Sequence, residues 1–319
     1  MLTLVAGIDE VGYGPILGPL VVSSSIFLIK ENPESNLWIR LQDSIGKSKK
    51  GLGSRILVCD SKKAFSQKSG LKYLEQTVKA FLNQLHLGRT TFSSLLPIIY
   101  NNLIAQIRKY PWYQALYDND IPGIDETISD NLTKNLELEG IEFIDFLCCC
   151  IDVMEFNEIV HSTKNKANTV IIQMLKLVQQ IISIAVFCAA KKIIIFCDRL
   201  GGRKYYEDVL KSLTGFEIVE AEESDKISKY KLTSNKRELT IQFEVGADNN
   251  HMPVALASMV GKYIREKVIR GMNEYFVKLQ PGLKPTAGYY TDGWRFLKEL
   301  KHETYEKAGF TIHDVLRIK

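Results

Sequence analysis

The chain has 319 residues, of which 45% are hydrophobic and 24% are charged. This composition is ordinary for a soluble globular protein, and the length allows one large domain with insertions or two domains. The formal net charge of +4 at pH 7 permits a nucleic-acid partner without demanding one.

Cysteine usage and the apolar runs bear on where the protein works. The six cysteines show no CxxC or Cys/His zinc spacing, and most lie in apolar runs, which predicts buried thiols in a reducing cytoplasm. The N-terminus lacks the basic region and cleavage pattern of a signal peptide. Polar residues interrupt the apolar run 170–197, which predicts a buried helix and strand instead of a membrane span. We therefore expect a cytoplasmic protein.

The first chemically informative stretch joins two predicted strands, residues 2–8 and 20–29. Asp9 and Glu10 end the first apolar run, and three glycines and two prolines follow through Pro19. A strand that ends in two carboxylates and turns through glycines suits a divalent metal and a phosphodiester. Taken alone, the pair is more typical of a polar turn between hairpin strands.

The next stretches continue an α/β pattern. A basic loop over residues 31–55 is consistent with either a solvated loop or a phosphate contact. Residues 56–59 predict a short strand, and Asp60-Ser61-Lys62 opens a helix whose N-terminus favours a phosphate. Residues 92–140 show no chemistry and predict a helical insertion or an interaction surface.

A second carboxylate-bearing region follows. Residues 141–160 favour strand, residues 165–190 a helix, and residues 193–198 a buried strand that ends in Asp198. Strand, crossover helix and strand indicate an α/β sheet, which places chemistry at strand ends. Three segments between 216 and 245 alternate as a β meander before Asp248.

Two polar features mark the C-terminal third. Ser258, Lys262 and Arg265 share one face of a predicted helix, which is either a phosphate-contacting face or a solvated one. Tyr289, in Gly288-Tyr289-Tyr290-Thr291, is either part of a packed turn or a surface ring on which a sugar can lie.

Taken in order, these stretches resemble one family, type 2 ribonuclease H (ribonuclease HII and relatives). The motifs that carry the resemblance are Asp-Glu-x-Gly-Arg-Gly with a following Gly-Pro, Asp-Ser-Lys, the third carboxylate, the fourth-carboxylate helix and Gly-Tyr-x-Thr; they match residues 8–15 with 18–19, residues 60–62, Asp198, residues 247–266 and residues 288–291. The resemblance covers about half of the chain.

The resemblance implies a metal-dependent endonuclease that cleaves the RNA strand of an RNA/DNA hybrid by two-metal-ion hydrolysis and leaves a 5′-phosphate. It implies an Mg²⁺ or Mn²⁺ site built from four carboxylates, Asp9, Glu10, Asp198 and Asp248. It also implies substrate contacts from Gly12, Tyr13, Gly14, Lys62, Ser258, Lys262, Arg265 and Tyr289. The expected partner is a hybrid or a ribonucleotide-containing duplex, and no membrane.

Two departures from the family pattern matter. Tyr13 stands where the family signature has arginine, so it keeps the backbone geometry that reads a 2′-hydroxyl but not the charge that touches phosphate. Recognition of a single embedded ribonucleotide is therefore not carried over. The long interval between Asp198 and Asp248 indicates an insertion within residues 204–245, in addition to the one over residues 92–140.

The predicted fold is therefore a ribonuclease H-like α/β domain, with a mixed sheet flanked by helices, over residues 1–270. A small helical tail over residues 271–319 would bring Tyr289 to the substrate face. Tyr13 and the insertions motivate one alternative, a catalytically narrowed or inactive nucleic-acid-binding protein of the same fold. A nuclease acting on a different duplex is a further alternative.

Overall fold

The computed structural model describes residues 2–66, 69–85, 99–100, 110–116, 121 and 123–318. Its strands are β1 (Thr3–Val11), β2 (Leu20–Ile29), β3 (Ile45–Gly46), β4 (Ile56–Leu57), β5 (Ile99–Tyr100), β6 (Ile141–Ile151), β7 (Lys192–Asp198), β8 (Glu217–Glu223), β9 (Ile227–Thr233) and β10 (Glu238–Glu244). Its helices are α1 (Leu37–Arg40), α2 (Ser61–Ala64), α3 (Lys72–Asn83), α4 (Pro111–Leu116), α5 (Glu126–Leu138), α6 (Val153–Thr163), α7 (Ala167–Phe187), α8 (Glu207–Leu210), α9 (Ala247–Asn250), α10 (Met252–Leu279), α11 (Tyr290–Glu299), α12 (His302–Ala308) and α13 (Ile312–Val315).

One mixed sheet organises these elements in the order β5-β6-β2-β1-β7-β10-β9-β8. Strand β1 pairs antiparallel with β2 and parallel with β7, and β10 pairs parallel with β7. The carboxyl ends of β1, β7 and β10 therefore meet at one edge of the sheet, which is where sheets of this kind hold their chemistry. The predicted meander is confirmed, because β8, β9 and β10 pair antiparallel in sequence.

The sheet is covered on both faces, and most residues of its central strands β1, β2 and β7 are apolar and buried. Helix α10 packs on β1 and β2 from one face, and helix α7 packs on β1, β2 and β6 from the other. Helix α7 is long and apolar enough to cross a membrane by length and composition. Its residues Leu177, Val178 and Ile181 are nevertheless fully buried, and they lie in the apolar cluster that includes Leu4 of β1.

Helix α10 approaches the sheet closely because small residues line the contact. Ser23 Oγ donates to the Ala257 carbonyl at 2.8 Å, and Ser25 Oγ donates to the Pro253 carbonyl at 2.7 Å. A methyl group on Gly261 would come within 2.5 Å of Ser23 Oγ. This contact brings the first turns of α10 next to the end of β1 that carries Asp9 and Glu10.

The predicted α/β class, a mixed sheet with flanking helices and a helical C-terminal region, is confirmed. The reading of Asp9-Glu10 as a hairpin turn is wrong, since both residues lie within β1 and pair with Ser23 and Val22. The strand expected over residues 141–160 ends at Ile151. There, the Asp152 side chain accepts the N–H groups of residues 154 and 155 and starts α6.

The domain limits stay a prediction, and the structure adds two facts. Helix α10 continues past residue 270 to Leu279, so no element ends at the expected boundary. Strand β10 lies between β7 and β9, so the end of the expected insertion 204–245 is an integral strand of the sheet. Of the other expected insertion, 92–140, residues 92–98, 101–109, 117–120 and 122 lie outside the described residues.

No disulfide joins the six cysteines, all of which lie in the described part of the chain, and five of them are buried, as predicted. Cys188, at the end of helix α7, is partly exposed.

Candidate active site

Three carboxylates converge at the sheet edge because of strand register. Ile8 of β1 pairs with Cys197 of β7, so the next residues along the two parallel strands, Asp9 and Asp198, lie side by side. One carboxylate oxygen each from Asp9, Glu10 and Asp198 can be chosen so that all three lie within 4.8 Å of one another. The predicted grouping of these side chains is therefore found in the structure.

The fourth predicted carboxylate, Asp248, reaches the same place from helix α9, four residues beyond the end of β10. It lies outside the cluster of three but lines the same cavity. The N–H of Ala247, at the start of α9, donates to Asp198 Oδ1 at 3.0 Å. This hydrogen bond ties the helix that carries Asp248 to the end of β7.

The cavity at this edge has a volume of about 280 Å³. It brings together every predicted site residue except Arg265. Its lining is Asp9, Glu10, Val11, Gly12, Tyr13, Gly14, Pro15, Asp60, Ser61, Lys62, Asp198, Asp248, Ser258, Lys262 and Tyr289.

Burial and mutual repulsion raise the pKa values of these acids. Burial raises the pKa of Asp9 from 3.8 to about 8, with further increases from Asp198 and Asp248. The pKa of Glu10 lies well above its ordinary value for the same reason, with Asp9 and Asp198 as the repelling charges. Burial also raises the pKa values of Asp198 and Asp248. A positive charge placed among these groups would relieve the repulsion.

The donor set fits a hard divalent cation. Asp9, Glu10 and Asp198 offer only oxygen ligands, which are those that Mg²⁺ and Mn²⁺ prefer. Within the described residues, the acidic cluster includes no cysteine or histidine ligand that would favour a softer metal. The site can therefore hold a divalent metal through these three side chains, with Asp248 beside them.

Ser258, which was predicted as a phosphate contact, also supports Asp9. It lowers the pKa of the Asp9 carboxyl group, against the larger effect of burial. Its hydroxyl also donates to Ser61 Oγ at 2.9 Å. Ser61 begins the short helix α2, whose N-cap Asp60 accepts the Lys62 N–H at 2.9 Å. The Asp-Ser-Lys motif is thus fastened to the carboxylate cluster through two serine hydroxyls.

Asp60 is a site residue that the sequence reading treated only as a helix cap. It lines the cavity and helps to raise the pKa of Asp248. Its place within the motif Asp60-Ser61-Lys62 was a usable signal. Lys62 and Lys63 act in the opposite direction on Asp248, so the cavity carries both signs of charge.

Two lysines and a tyrosine form the wall opposite the acids. Lys62 is exposed, whereas Lys262 is mostly buried, pairs with Glu266 at 2.8 Å and lies 4.9 Å from the Phe65 ring. Tyr289 is 54% exposed, so the surface-ring reading of this residue agrees with the structure better than the packed-turn reading. An exposed ring beside cationic groups is a surface on which a sugar or base can lie.

Arg265 is not part of the cavity wall. Its side chain is 1% exposed, pairs with Glu266 at 3.1 Å and donates to the Ala287 carbonyl at 3.1 Å. Helical spacing placed it correctly on the face of Ser258 and Lys262, but the segment 286–289 covers that part of the helix. Arg265 therefore supports Tyr289, whose ring centre is 5.8 Å from the guanidinium carbon, and makes no contact with the cavity.

The residues from Gly12 to Gly18, here called the glycine loop, form the cavity rim next to Glu10. Gly12 has φ +93°, and a methyl group there would come within 2.7 Å of the Pro19 carbonyl oxygen, so only glycine fits without strain. The Gly288 carbonyl accepts the N–H groups of Ile16 and Leu17 at 2.8 and 3.2 Å. These bonds join the loop to the segment that carries Tyr289.

Arg317 is a buried residue near the C-terminus that contacts this loop. Its guanidinium donates to the carbonyls of Gly12, Pro15 and Gly18. Sequence reasoning missed it because a single arginine in a short tail carries no local pattern. The contact with Gly12 spans 305 positions of the chain, so no local signal could have found it.

No protein-family model and no curated protein matches this chain. In fold, it is similar to solved type 2 ribonucleases H. A ribonuclease H2 from Pyrococcus horikoshii OT3 aligns over 98% of this chain and 92% of its own, with 16% identity and a TM-score of 0.45. A ribonuclease HII from Archaeoglobus fulgidus, solved in a complex with PCNA, aligns over 99% and 94%, with 16% identity and a TM-score of 0.44.

A third solved structure, Bst-RNase HIII in complex with Mn²⁺, aligns over 99% of this chain and 66% of its own. Its identity to this chain is 10% and its TM-score is 0.43. The chemistry rests on the side chains described above.

Proposed function

We propose that this chain is a metal-dependent endonuclease that hydrolyses the RNA strand of RNA/DNA hybrids. The observation that carries the proposal is the convergence of Asp9, Glu10 and Asp198 within 4.8 Å at the floor of a cavity that Lys62 and Tyr289 also line. Five acids line this cavity and would repel a polyanion: Asp9, Glu10, Asp60, Asp198 and Asp248. The arrangement therefore makes physical sense for a nuclease that binds cations and little sense for a protein that only binds nucleic acid.

Asp9, Glu10, Asp198 and Asp248 would hold Mg²⁺ or Mn²⁺ in a two-ion site. Ions held by these side chains would supply activation of a water and stabilisation of the leaving 3′-oxygen. The protein groups hold the substrate for that step. Lys62, and Lys262 from within its ion pair, attract phosphates, and Tyr289 offers its exposed ring to a sugar next to the scissile bond.

Specificity for RNA would arise at the glycine loop and Tyr289, which both line the cavity. The backbone there is open, because Gly14 is exposed and a methyl group added to it would meet no atom within 4 Å. A ribose hydroxyl can therefore approach main-chain donors without meeting a side chain. The 2′-hydroxyl is the group by which a protein distinguishes RNA from DNA.

A cleavage panel tests the proposal directly. Labelled substrates would be a full RNA/DNA hybrid, a DNA duplex with one embedded ribonucleotide, and plain DNA, each with Mg²⁺, Mn²⁺ or EDTA. We expect metal-dependent cleavage of the hybrid, with 5′-phosphate products, and none of plain DNA. Asp9→Asn and Asp198→Asn should lower the rate at least about a hundredfold. Asp208→Asn, a matched change on exposed helix α8, should not alter it.

The other readings are outcomes of the same panel. Tight hybrid binding without metal and without turnover would show a nucleic-acid-binding protein of this fold. Cleavage confined to the embedded-ribonucleotide duplex or to a DNA structure would show a nuclease with a different substrate. Full activity in both acid-to-amide variants would remove the carboxylate site from the mechanism.

A further inference from the structure

The side chain of Arg317 hydrogen-bonds to the backbone of the glycine loop. Its guanidinium donates to three loop carbonyls, those of Gly12, Pro15 and Gly18, and the Pro15 bond is 3.4 Å long. The N–H of Arg317 itself donates to the Ile16 carbonyl at 2.9 Å. One residue of the tail therefore contacts four carbonyls of the segment that forms the cavity rim.

This arginine is buried without a carboxylate partner. It is 3% exposed, and among the described residues none forms a salt bridge with it. Its guanidinium lies 4.7 Å from the Phe156 ring centre. Burial, together with the nearby charge of Arg265, lowers the pKa of Arg317 to about 9. A buried cation is costly unless polar groups surround it, and here the loop carbonyls fill that role.

These hydrogen bonds set which way the loop peptides face. The carbonyl and the N–H of a trans peptide point in opposite directions. The Pro15 carbonyl is turned toward Arg317, and the next N–H, that of Ile16, accordingly points away and donates to Gly288 at 2.8 Å. By the same geometry, the Gly12 carbonyl turns toward Arg317 and directs the Tyr13 N–H to the opposite side, away from the guanidinium.

The glycine loop needs contacts from outside the loop to keep its backbone in one conformation. Gly12 has a positive φ, and glycine visits both signs of φ at little cost, so the peptide that follows it can turn over readily. If that peptide turned over, a carbonyl would replace the N–H donor at the cavity rim. Gly12, Tyr13 and Gly14 all line this rim, so the change would alter what an incoming polyanion meets.

We propose that Arg317 is a positioning residue for substrate recognition, which keeps the Gly12–Tyr13 peptide with its N–H directed away from the tail, as a donor to an oxygen of bound nucleic acid. The inference rests on the proposed function for the identity of the ligand. It does not rest on it for the hold on the loop, which is a property of the protein alone.

The test uses the full chain with Arg317→Met, which keeps apolar bulk and removes the donors, and Arg317→Lys, which keeps the charge but satisfies fewer carbonyls. Arg270→Met is the matched control, since Arg270 is exposed on α10 and pairs only with Glu274 among the described residues. Two readouts are used: amide hydrogen exchange of residues 12–18 against strand β6, and hybrid affinity with Ca²⁺ in place of a catalytic metal.

We expect exchange of residues 12–18 to accelerate about tenfold or more in both Arg317 variants, with β6 unchanged, because the lost bonds are charge-assisted. Hybrid affinity should fall about three- to tenfold in both variants. In a third variant, Arg317→Ala, methylguanidinium should restore part of the lost affinity. The control should match the wild type in both readouts.

Unchanged loop exchange and unchanged hybrid affinity in both variants would overturn the proposal. So would faster exchange throughout the protein, including β6, since that result assigns Arg317 to general stability. If the wild type neither binds nor cleaves the hybrid, the proposed function fails. The exchange of residues 12–18 still decides whether Arg317 holds the loop.

Discussion

Gly7 of strand β1 lies directly against the backbone of Pro253 at the start of helix α10. A methyl group on Gly7 would come within 2.1 Å of the Pro253 carbonyl carbon and 2.2 Å of the Val254 nitrogen. No side chain fits between the strand and the helix at this point. The contact fixes the distance between Asp9, two residues along β1, and Ser258, farther along α10.

Gly7→Ala should therefore destabilise the protein and disturb the site together. The helix must move away from β1 to admit the methyl group, and we expect a loss of about 3 kcal/mol in the free energy of unfolding. Denaturant unfolding measures the loss, and Mn²⁺ titration of the folded variant measures the effect on Asp9. Gly202→Ala is the control, because an added methyl there meets no atom within 4 Å. An unchanged midpoint for Gly7→Ala would contradict the tight contact.

Asp9→Asn should stabilise the metal-free protein at alkaline pH. The pKa of Asp9 is about 8 in the folded protein against 3.8 ordinarily, so the folded state binds the extra proton between these values. Stability from this group is thus complete below about pH 4 and is lost as the pH rises through 8. Asparagine does not ionise, so we expect the variant to be more stable at pH 8 by roughly 1–3 kcal/mol.

Thermal unfolding in EDTA from pH 5 to pH 8.5 measures this difference. The wild type should lose stability with rising pH more steeply than Asp9→Asn, and Mn²⁺ should reverse the order at pH 8. The raised pKa of Glu10 acts in the same direction, so some slope remains in the variant. Parallel pH profiles for the two proteins would argue against a buried, proton-holding Asp9.

Asp198 and Asp248 should differ in their effect on the first metal ion bound. Asp198 lies within 4.8 Å of Asp9 and Glu10, whereas Asp248 stands outside that cluster. We expect Asp198→Asn to weaken the tightest Mn²⁺ binding about a hundredfold and Asp248→Asn less than about tenfold, although both should lose cleavage. Isothermal titration with Mn²⁺ separates them, with Asp208→Asn as the control. Equal losses would show that Asp248 is an equal ligand of the same ion.

Ser258→Ala should weaken metal binding without removing a ligand. Its hydroxyl donates to Ser61 and lowers the pKa of Asp9, so its loss should raise the pKa of Asp9 further. We expect about a tenfold loss of Mn²⁺ affinity at neutral pH. Ser24→Ala is an informative control, because the Ser24 hydroxyl is buried with no partner within the described residues and its removal should cost no stability. Equal metal affinity in wild type and Ser258→Ala would exclude the role.

How much of the site could be predicted from the sequence depends on whether each signal comes from residues that are close together in the chain. Asp9 and Asp198 each stand near the end of a branched apolar run, and parallel pairing of two such runs brings their ends together. That inference needs only the strand pattern. Arg265 was assigned to the cavity from helical spacing, which gives the face of a helix but not what covers it. The hydrogen bond from Arg265 to the Ala287 carbonyl and that from Arg317 to the Gly12 carbonyl both join residues that are remote in sequence.

The last prediction concerns the charge that Tyr13 lacks relative to the arginine of the family signature. Lys166, at the start of helix α7, places its ammonium 4.8 Å from the centre of the Tyr13 ring and 5.8 Å from that of Phe156. A lysine ammonium is attracted to the face of an aromatic ring, which holds its positive charge at this place. Tyr13 lines the cavity, so this lysine places a positive charge next to the part of the cavity wall that Tyr13 forms.

Lys166→Gln should therefore weaken hybrid binding about threefold at moderate salt and reduce the slope of log Kd against log salt by about 1, as expected for one lost phosphate contact. Tyr13→Phe keeps the ring face and should bind as the wild type does, whereas Tyr13→Leu should resemble Lys166→Gln. Lys211→Gln, at the residue that follows helix α8 and pairs with Glu207, is the matched control. A salt slope identical in wild type and Lys166→Gln would mean that the lysine only packs on Tyr13, and the charge missing from position 13 would then have no replacement on this side of the cavity.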